Sequence, residues 1–221
     1  RNADLYYFYD SWKTSEVVYG AGETVFSVSS SFFSYHGLRM RLLGEYQVFN
    51  ASHALLCVEV LRQKGLFISE CHIRQGLWKT LWPGRMELLR TNPLFFLDGA
   101  HNPDGAQAFC RSIQPYCRHH RLILIIGLLA KKEAASFIRE VENFADVLWL
   151  TQPVSGKGTR AEQLAEAVSA KDKPLFVEPD FRKAVQGALA MARAQDVVAA
   201  VGSLYLAGDI KKYFTEAYED D

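Results

Sequence analysis

From residue 86 onward, short apolar runs alternate with stretches of helical periodicity. The runs fall at 86–90, 94–97, 122–126, 147–150, 175–177 and 197–201, and each reads as a strand. Between them, apolar residues three and four apart predict helices over about 104–114, 133–143, 160–169, 180–194 and 208–217. The central runs are almost uninterrupted by polar residues, as in strands covered on both faces. Alternation of this kind predicts an α/β domain over 86–221. It would be Rossmann-like, with a mainly parallel six-stranded sheet flanked by helices.

The first 85 residues have another rhythm. Val25-Phe26-Ser27-Val28-Ser29 and Leu38-Arg39-Met40-Arg41-Leu42 alternate with the period of half-exposed strands. Gly20-Ala21-Gly22 and His36-Gly37 read as turns, and the β segment is too small to hold a core alone. Asn50 is placed to cap a helix over 51–64, with Gly65 past its end and Ala54, Leu55, Val58 and Leu61 as its apolar face. Ser69 is placed to cap a second helix near 70–80 that carries Ile73 and Leu77. Trp82-Pro83-Gly84-Arg85 then breaks the periodicity. We expect one unit over 1–82, a hinge at 83–85 and a second domain over 86–221.

Charge and composition narrow the function. Lys+Arg and Asp+Glu both number 25, so nothing draws the chain to nucleic acid or to an anionic membrane surface. The longest apolar run, 122–130, is too short to span a bilayer. The start, Arg1-Asn2-Ala3-Asp4, has neither an initiator Met nor signal-peptide design, which suggests a piece of a longer chain, and the cysteine usage leads us to expect a cytoplasmic one. Cys57, Cys71, Cys110 and Cys117 form no C-x-x-C pair and are expected to be reduced thiols. Cys110, Cys117, His119 and His120 match no common zinc spacing, and no metal site is assigned.

Candidate chemistry collects at three strand ends. Leu94-Phe95-Phe96-Leu97 runs into Asp98-Gly99-Ala100-His101, with Gly99 expected to turn the backbone tightly and Pro103-Asp104 to open a helix. Gly127-Leu128-Leu129-Ala130-Lys131-Lys132-Glu133 follows another strand, and Gly202-Ser203 the last. In a parallel sheet these loops share one edge, where α/β proteins place ligands. A carboxylate, an imidazole, a lysine and a hydroxyl beside helix N-termini suit an anionic ligand. Each also has a plainer reading: the lysines as a solvated face, Ser203 as an N-cap. Ser155-Gly156-Lys157-Gly158-Thr159 lacks the spacing of a Walker phosphate loop and reads as a βα loop. Arg85, on a stiff turn, is placed to grip a phosphate in bidentate fashion or to form a surface ion pair.

Together these motifs resemble a known family. Gly44-x-x-Gln47-x-x-Asn50-Ala51, Trp82-Pro83-Gly84-Arg85-Met86-Glu87, Asp98-Gly99-Ala100-His101-Asn102-Pro103, Gly127 with Lys132-Glu133, and Gly202-Ser203 occur in the order seen in folylpolyglutamate synthase/dihydrofolate synthase. That is the folate branch of the Mur ligase superfamily. Gly99 favours this branch over the peptidoglycan ligases, which usually carry Tyr there. The resemblance runs from about residue 40 to the C-terminus, and Tyr46 stands where the family often has His.

The resemblance implies an ATP-dependent ligase. A pterin carboxylate takes the γ-phosphate of ATP, and the amine of L-glutamate then displaces phosphate from the acyl phosphate. It further implies that Asn50 contacts adenine, Arg85 the phosphates, Asp98 the ribose and the hinge, and that His101 lies near the nucleotide. Lys132 and Ser203 would bind the carboxylate of the incoming glutamate. Arg85, His101 and Lys132 are the expected catalytic groups. Closure of the C-terminal domain would bring these groups together. The family's phosphate loop, Mg2+ ligands and pterin pocket have no counterpart here. We therefore expect the C-terminal portion of such a synthase, with a strand and two-helix remnant of its ATP-binding domain. Alone it should be inactive and prone to self-association. The partners implied are ATP, Mg2+, L-glutamate and dihydropteroate or folate. The alternatives are a peptidoglycan-type Mur ligase domain and a non-catalytic binding module. A Rossmann oxidoreductase lacks its G-x-G-x-x-G.

Overall fold

A computed structural model describes residues 12–30, 33–129, 134–170 and 172–218. The chain divides into two compact units, 1–81 and 82–221.

The first unit is an antiparallel meander of β1 (Trp12–Tyr19), β2 (Thr24–Ser30) and β3 (Ser34–Met40), with helices α1 (Glu45–Gln63) and α2 (Glu70–Lys79). Gly20–Gly22 is the expected turn. His36-Gly37 is not a turn: it lies inside β3, at a bulge where the register with β2 shifts between Phe26 and Val28. Gly37, at φ +57°, takes up the extra residue, and its N–H donates to Ser27 Oγ at 3.1 Å.

Helix α1 starts six residues before the 51–64 expected for it. Gly44, at φ +98°, is its N-cap, and Asn50 lies within the second turn, donating from Nδ2 to Gln47 Oε1 at 3.1 Å. The buried stripe is correspondingly displaced. Val48, Ala51 and Leu55 face inward, whereas Ala54 and Leu61 are exposed. Ser69 does cap α2, in a reciprocal capping box with His72.

The sheet is too thin to bury a core by itself, and the helices complete one. Phe26, Val28, Tyr35, Leu38 and Met40 pack with Val48, Ala51, Leu55 and Ile73. The Tyr35 hydroxyl donates to Glu59, and Arg62 Nη1 donates to both (3.0 and 2.9 Å). Burial, then the Glu59 carboxylate, pushes the Tyr35 phenol up to about 12, so it remains a donor at neutral pH.

The second unit is a six-stranded sheet in the order β4-β5-β9-β6-β7-β8. Its strands are β4 (Glu87–Thr91), β5 (Leu94–Leu97), β6 (Leu122–Ile126), β7 (Val147–Gln152), β8 (Leu175–Asp180) and β9 (Val197–Val201). All pairings are parallel except that of β4 with β5. Its helices are α3 (Pro103–Ile113), α4 (Ala134–Glu142), α5 (Ala161–Glu166), α6 (Phe181–Met191) and α7 (Leu204–Tyr218).

The chain runs outward through β6, β7 and β8, then returns to insert β9 between β5 and β6. Its Val-Val-Ala-Ala-Val is fully buried. Phe95, Leu97, Ile123, Ile125, Val198 and Ala200 pack on α6 and α7 through Phe181, Val185, Leu206, Ile210 and Phe214. Alternation turns Phe96, Leu122, Leu124 and Ile126 to the other face, where Phe96 meets the Tyr116 ring at 4.7 Å. Among the described residues, no helix is long and apolar enough to cross a membrane.

One ion pair closes the amino-terminal edge of this sheet. Arg121 Nη2 donates to Asp196 Oδ2 at 2.5 Å, and the same oxygen accepts the Arg193 N–H at 2.8 Å. Asp196 is only 2% exposed. Burial alone would raise its pKa, but the Arg121 bond, the Arg193 N–H and the two positive charges outweigh it and hold the carboxyl below its ordinary value. A depressed folded-state pKa stabilises the fold above the unfolded carboxyl's pKa, and that stability is lost as pH falls through the folded value. Asp196→Asn should cost about 2 kcal/mol in urea unfolding at pH 7. It should also flatten the decline in stability expected of the parent chain below about pH 4.

Candidate functional site

The loops after β5, β9, β6 and β7 lie side by side along the carboxyl-terminal edge, because those strands are neighbours in that order. The three loops singled out by sequence share this edge, and the 153–160 loop joins them. Two bonds continue the ladders into the loops: Asp98 N–H to the Ala200 carbonyl and Gly127 N–H to the Val201 carbonyl, both 3.0 Å. Thr159 ties the last two loops together, its N–H on the Leu128 carbonyl at 2.8 Å and its Oγ1 on the Leu129 carbonyl at 3.2 Å. Asp209 of α7 accepts the Val154 N–H at 2.9 Å. Lys157 projects from this loop, exposed.

Asp98, 3% exposed, is the centre of the edge. Its Oδ2 accepts the Met86 N–H at 2.9 Å and its Oδ1 the Ala100 N–H at 2.8 Å. One carboxylate thus joins the turn before β4 to the loop after β5. Met86 sits at φ +45°, a left-handed conformation that an unbranched residue holds only under constraint, and the Asp98 bond supplies one.

Gly99 is needed for space, not for the tight turn expected of it, since its φ lies outside the left-handed region. A Cβ there would stand 2.4 Å from Leu204 Cδ2 and 2.5 Å from Arg85 Nη1. The Gly84 carbonyl accepts both the Gly99 N–H (2.8 Å) and Arg85 Nη1 (3.0 Å). The half-buried Arg85 is therefore held against the Asp98 loop, and among the described residues it has no carboxylate in ion-pair range.

His101 is exposed, with Nδ1 3.0 Å from the Gly99 carbonyl. A carbonyl only accepts, so Nδ1 carries the hydrogen and Nε2 of the neutral ring is the acceptor. Asn102 is structural: its Oδ1 accepts the Gly105 N–H at 2.8 Å and caps α3, with Pro103 at the first helical position.

Ser203, 2% exposed, accepts the Leu206 N–H at 3.1 Å, the N-cap geometry of the plainer reading. Its hydroxyl proton remains available to donate. Gly202, at φ +118°, approaches Gly127 so closely that a Cβ would lie 2.6 Å from the Gly127 carbonyl oxygen.

The edge thus gathers Arg85, Asp98, His101 and Ser203. Asn50 is exposed on α1 of the first unit. Lys132 lies outside the described residues. Sequence reasoning passed over Asp209 and Lys211, and quoted Met86 and Glu87 only as parts of a motif. Glu87 and Lys211 pair across 124 positions, which no local pattern signals. Cys110 and Cys117 are thiols pushed up to about 12, burial being the main cause, so both stay protonated at neutral pH.

Two substitutions probe this packing. Gly202→Ala should cost about 3 kcal/mol, from the positive φ and the Gly127 overlap together. Asp98→Ala should cost about 2–3 kcal/mol by stranding two buried N–H groups. Urea unfolding of each variant measures both.

Comparison with known proteins agrees with this geometry. A family model described as Mur ligase, glutamate ligase domain, matches residues 84–204. The dihydrofolate synthase/folylpolyglutamate synthase of Bacillus subtilis is 29% identical over 197 residues, covering 87% of this chain and 44% of its own length. A Mycobacterium tuberculosis folylpolyglutamate synthase structure, complexed with ADP and AMPPCP, superposes with a TM-score of 0.80 at 24% identity, over 93% of this chain and 48% of that one. A bifunctional folylpolyglutamate synthase/dihydrofolate synthase with Mn, AMPPNP and L-glutamate bound gives 0.70 at 26% identity, over 93% of this chain and 46% of that one. The chain spans less than half the length of these relatives. With its P-G-R turn, Asp98 loop and Gly202-Ser203 helix start on one sheet edge, the chain belongs to the Mur ligase family and carries the glutamate ligase domain in the form of the folylpolyglutamate and dihydrofolate synthases.

Proposed function

We propose that this chain is the C-terminal part of an ATP-dependent ligase that joins L-glutamate to a dihydropteroate or folate carboxylate. The second unit is its glutamate ligase domain and the first the end of its ATP-binding domain. The observation that carries the reading is the Asp98 carboxylate, which joins the Arg85 turn to the His101 loop beside the start of α7. It draws support from the relatives crystallised with adenine nucleotides and, in one case, with L-glutamate.

Each residue takes a role that its chemistry allows. Arg85 keeps guanidinium donors beyond the Gly84 bond, and these suit phosphate oxygens that gain charge during transfer. His101 offers Nε2 beside it. Ser203 and Lys132 take the glutamate carboxylate at the positive end of α7. Asn50 contacts adenine. Asp98, with both oxygens on backbone donors, holds the Arg85 turn and borders the ribose.

The reaction conserves atoms in two steps. The acceptor carboxylate takes the γ-phosphoryl group and releases ADP. The glutamate amine then forms the amide as inorganic phosphate leaves. Arg85 fits a nucleotide triphosphate. Mg2+ would neutralise charge on that triphosphate. Among the described residues, however, no group of three His, Cys, Asp or Glu could hold a metal, so no ligand for it is assigned here.

Calorimetric titration tests the reading. Weak L-glutamate binding is expected for the parent chain and should be lost in Lys132→Ala and in Ser203→Ala. Weak Mg-ATP binding should fall about tenfold or more in Arg85→Ala. Binding of both ligands undiminished by the three substitutions would overturn these roles. Mixed with dihydropteroate, ATP and glutamate, the chain alone should release no ADP. Phe49, Leu61, Leu66 and Phe67 are exposed on and just after α1, and light scattering should show concentration-dependent association.

A further inference from the structure

Arg85 owes its place to a residue on a distant helix. The turn that carries it is left-handed on either side of the arginine, at Gly84 (φ +69°), where glycine accepts it freely, and at Met86 (φ +45°), where it is conformationally costly. Each flank has its own tether. Asp98 holds the Met86 N–H, as described above. Glu87 holds the other flank, its Oε2 accepting the Gly84 N–H at 2.8 Å. The remaining Glu87 oxygen is bound by Lys211 Nζ at 2.6 Å, from the middle of α7.

Gly84 is therefore held by both of its backbone polar groups. Its N–H goes to Glu87, and its carbonyl accepts Gly99 N–H and Arg85 Nη1. Leu204, in the first turn of α7, lies 3.3 Å from a Cβ built on Gly84. Helix α7 thus meets the Arg85 turn twice, once by apolar contact and once by charge.

The ion pair is poorly placed to serve stability. Lys211 is 43% and Glu87 21% exposed at the side chain, and such pairs contribute about 0–1 kcal/mol. Its geometry suits another task, because Lys211 fixes the rotamer of a carboxylate whose second oxygen holds a backbone donor.

We propose that Lys211 is a positioning residue: through Glu87 it fixes the Gly84 peptide and hence the Arg85 guanidinium, so one helix sets both the Ser203 end of the site and its phosphate-binding arginine. The phosphate half of this inference rests on the role given to Arg85 above; the relay from Lys211 to Gly84 does not.

The test uses the 221-residue chain and two NMR readouts. The first is amide hydrogen exchange at Gly84 and Met86. Lys211→Ala should speed Gly84 exchange about tenfold, leave Met86 within about twofold, and be rescued by Lys211→Arg. Circular dichroism and thermal melting check that each variant folds as the parent does. The second is titration of the Arg85 Nε–H signal with tripolyphosphate, which Lys211→Ala should weaken about fivefold and Lys211→Arg restore. Unchanged Gly84 exchange in Lys211→Ala, or no rescue by arginine, overturns the relay. Tripolyphosphate binding that calorimetry shows to survive intact in Arg85→Ala, which has no Nε–H signal of its own, overturns the phosphate role of Arg85, and the functional half of the proposal falls with it even where the exchange result stands.

Discussion

The second unit depends on a steric constraint: helix α7 starts where the backbone of one strand end nearly touches that of the next. Gly202 comes so close to the Gly127 backbone that it tolerates no Cβ, and a Cβ on Gly127 would in turn meet Leu206 of the helix and Thr151. Leu204 is pressed likewise onto Gly99 and Gly84. Missing Cβ atoms at four positions let a helix N-terminus sink into a sheet edge. Ser203 then caps it from a buried position. Farther along, α7 reaches the 153–160 loop through Asp209 and the Arg85 turn through Lys211. One helix therefore organises every loop that frames the edge.

The two ends of the sheet use their buried acids differently. At the amino-terminal edge, Asp196 faces Arg121, a fixed charge, and the pair closes the start of β9. At the carboxyl-terminal edge, Asp98 has backbone N–H groups on both oxygens. Peptide donors can satisfy a carboxylate without bringing in a positive side chain. That leaves Arg85 uncommitted to an acid among the described residues. A second acid, Glu87, reaches the same turn but is neutralised by Lys211. The charge that could meet an anionic ligand is thus kept apart from the charges that hold the turn in place.

The first unit shows how small sheets become stable. Three strands cannot bury Phe26, Leu38 and Met40 alone, and α1 and α2 cover them. The displaced start of α1 follows from the same need. Gly44 releases the chain from the sheet by a positive φ, and the helix begins at once so that Val48 can reach the core. Asn50 was a sound cap by local chemistry, but tertiary packing outweighed that preference.

Much of this protein was determined by the sequence alone. Uninterrupted apolar runs such as Leu122-Ile123-Leu124-Ile125-Ile126 specify buried parallel strands, because only a sheet covered on both faces excludes polar residues from every position. Ser69 and the Asn102-Pro103 helix start were legible because capping is chemistry between neighbours. The motif order also carried the family. What only the tertiary structure decided lies in contacts between residues far apart in the chain. Strand order placed β9 beside β5, and so Ser203 beside Asp98. The reason for Gly99 is a leucine more than a hundred positions on, and Glu87 finds its lysine at a greater separation still. Periodicity reports which face of an element is buried. Which distant residue fills the space beside it is settled only when the elements pack, since steric exclusion and charge pairing act through space and not along the chain.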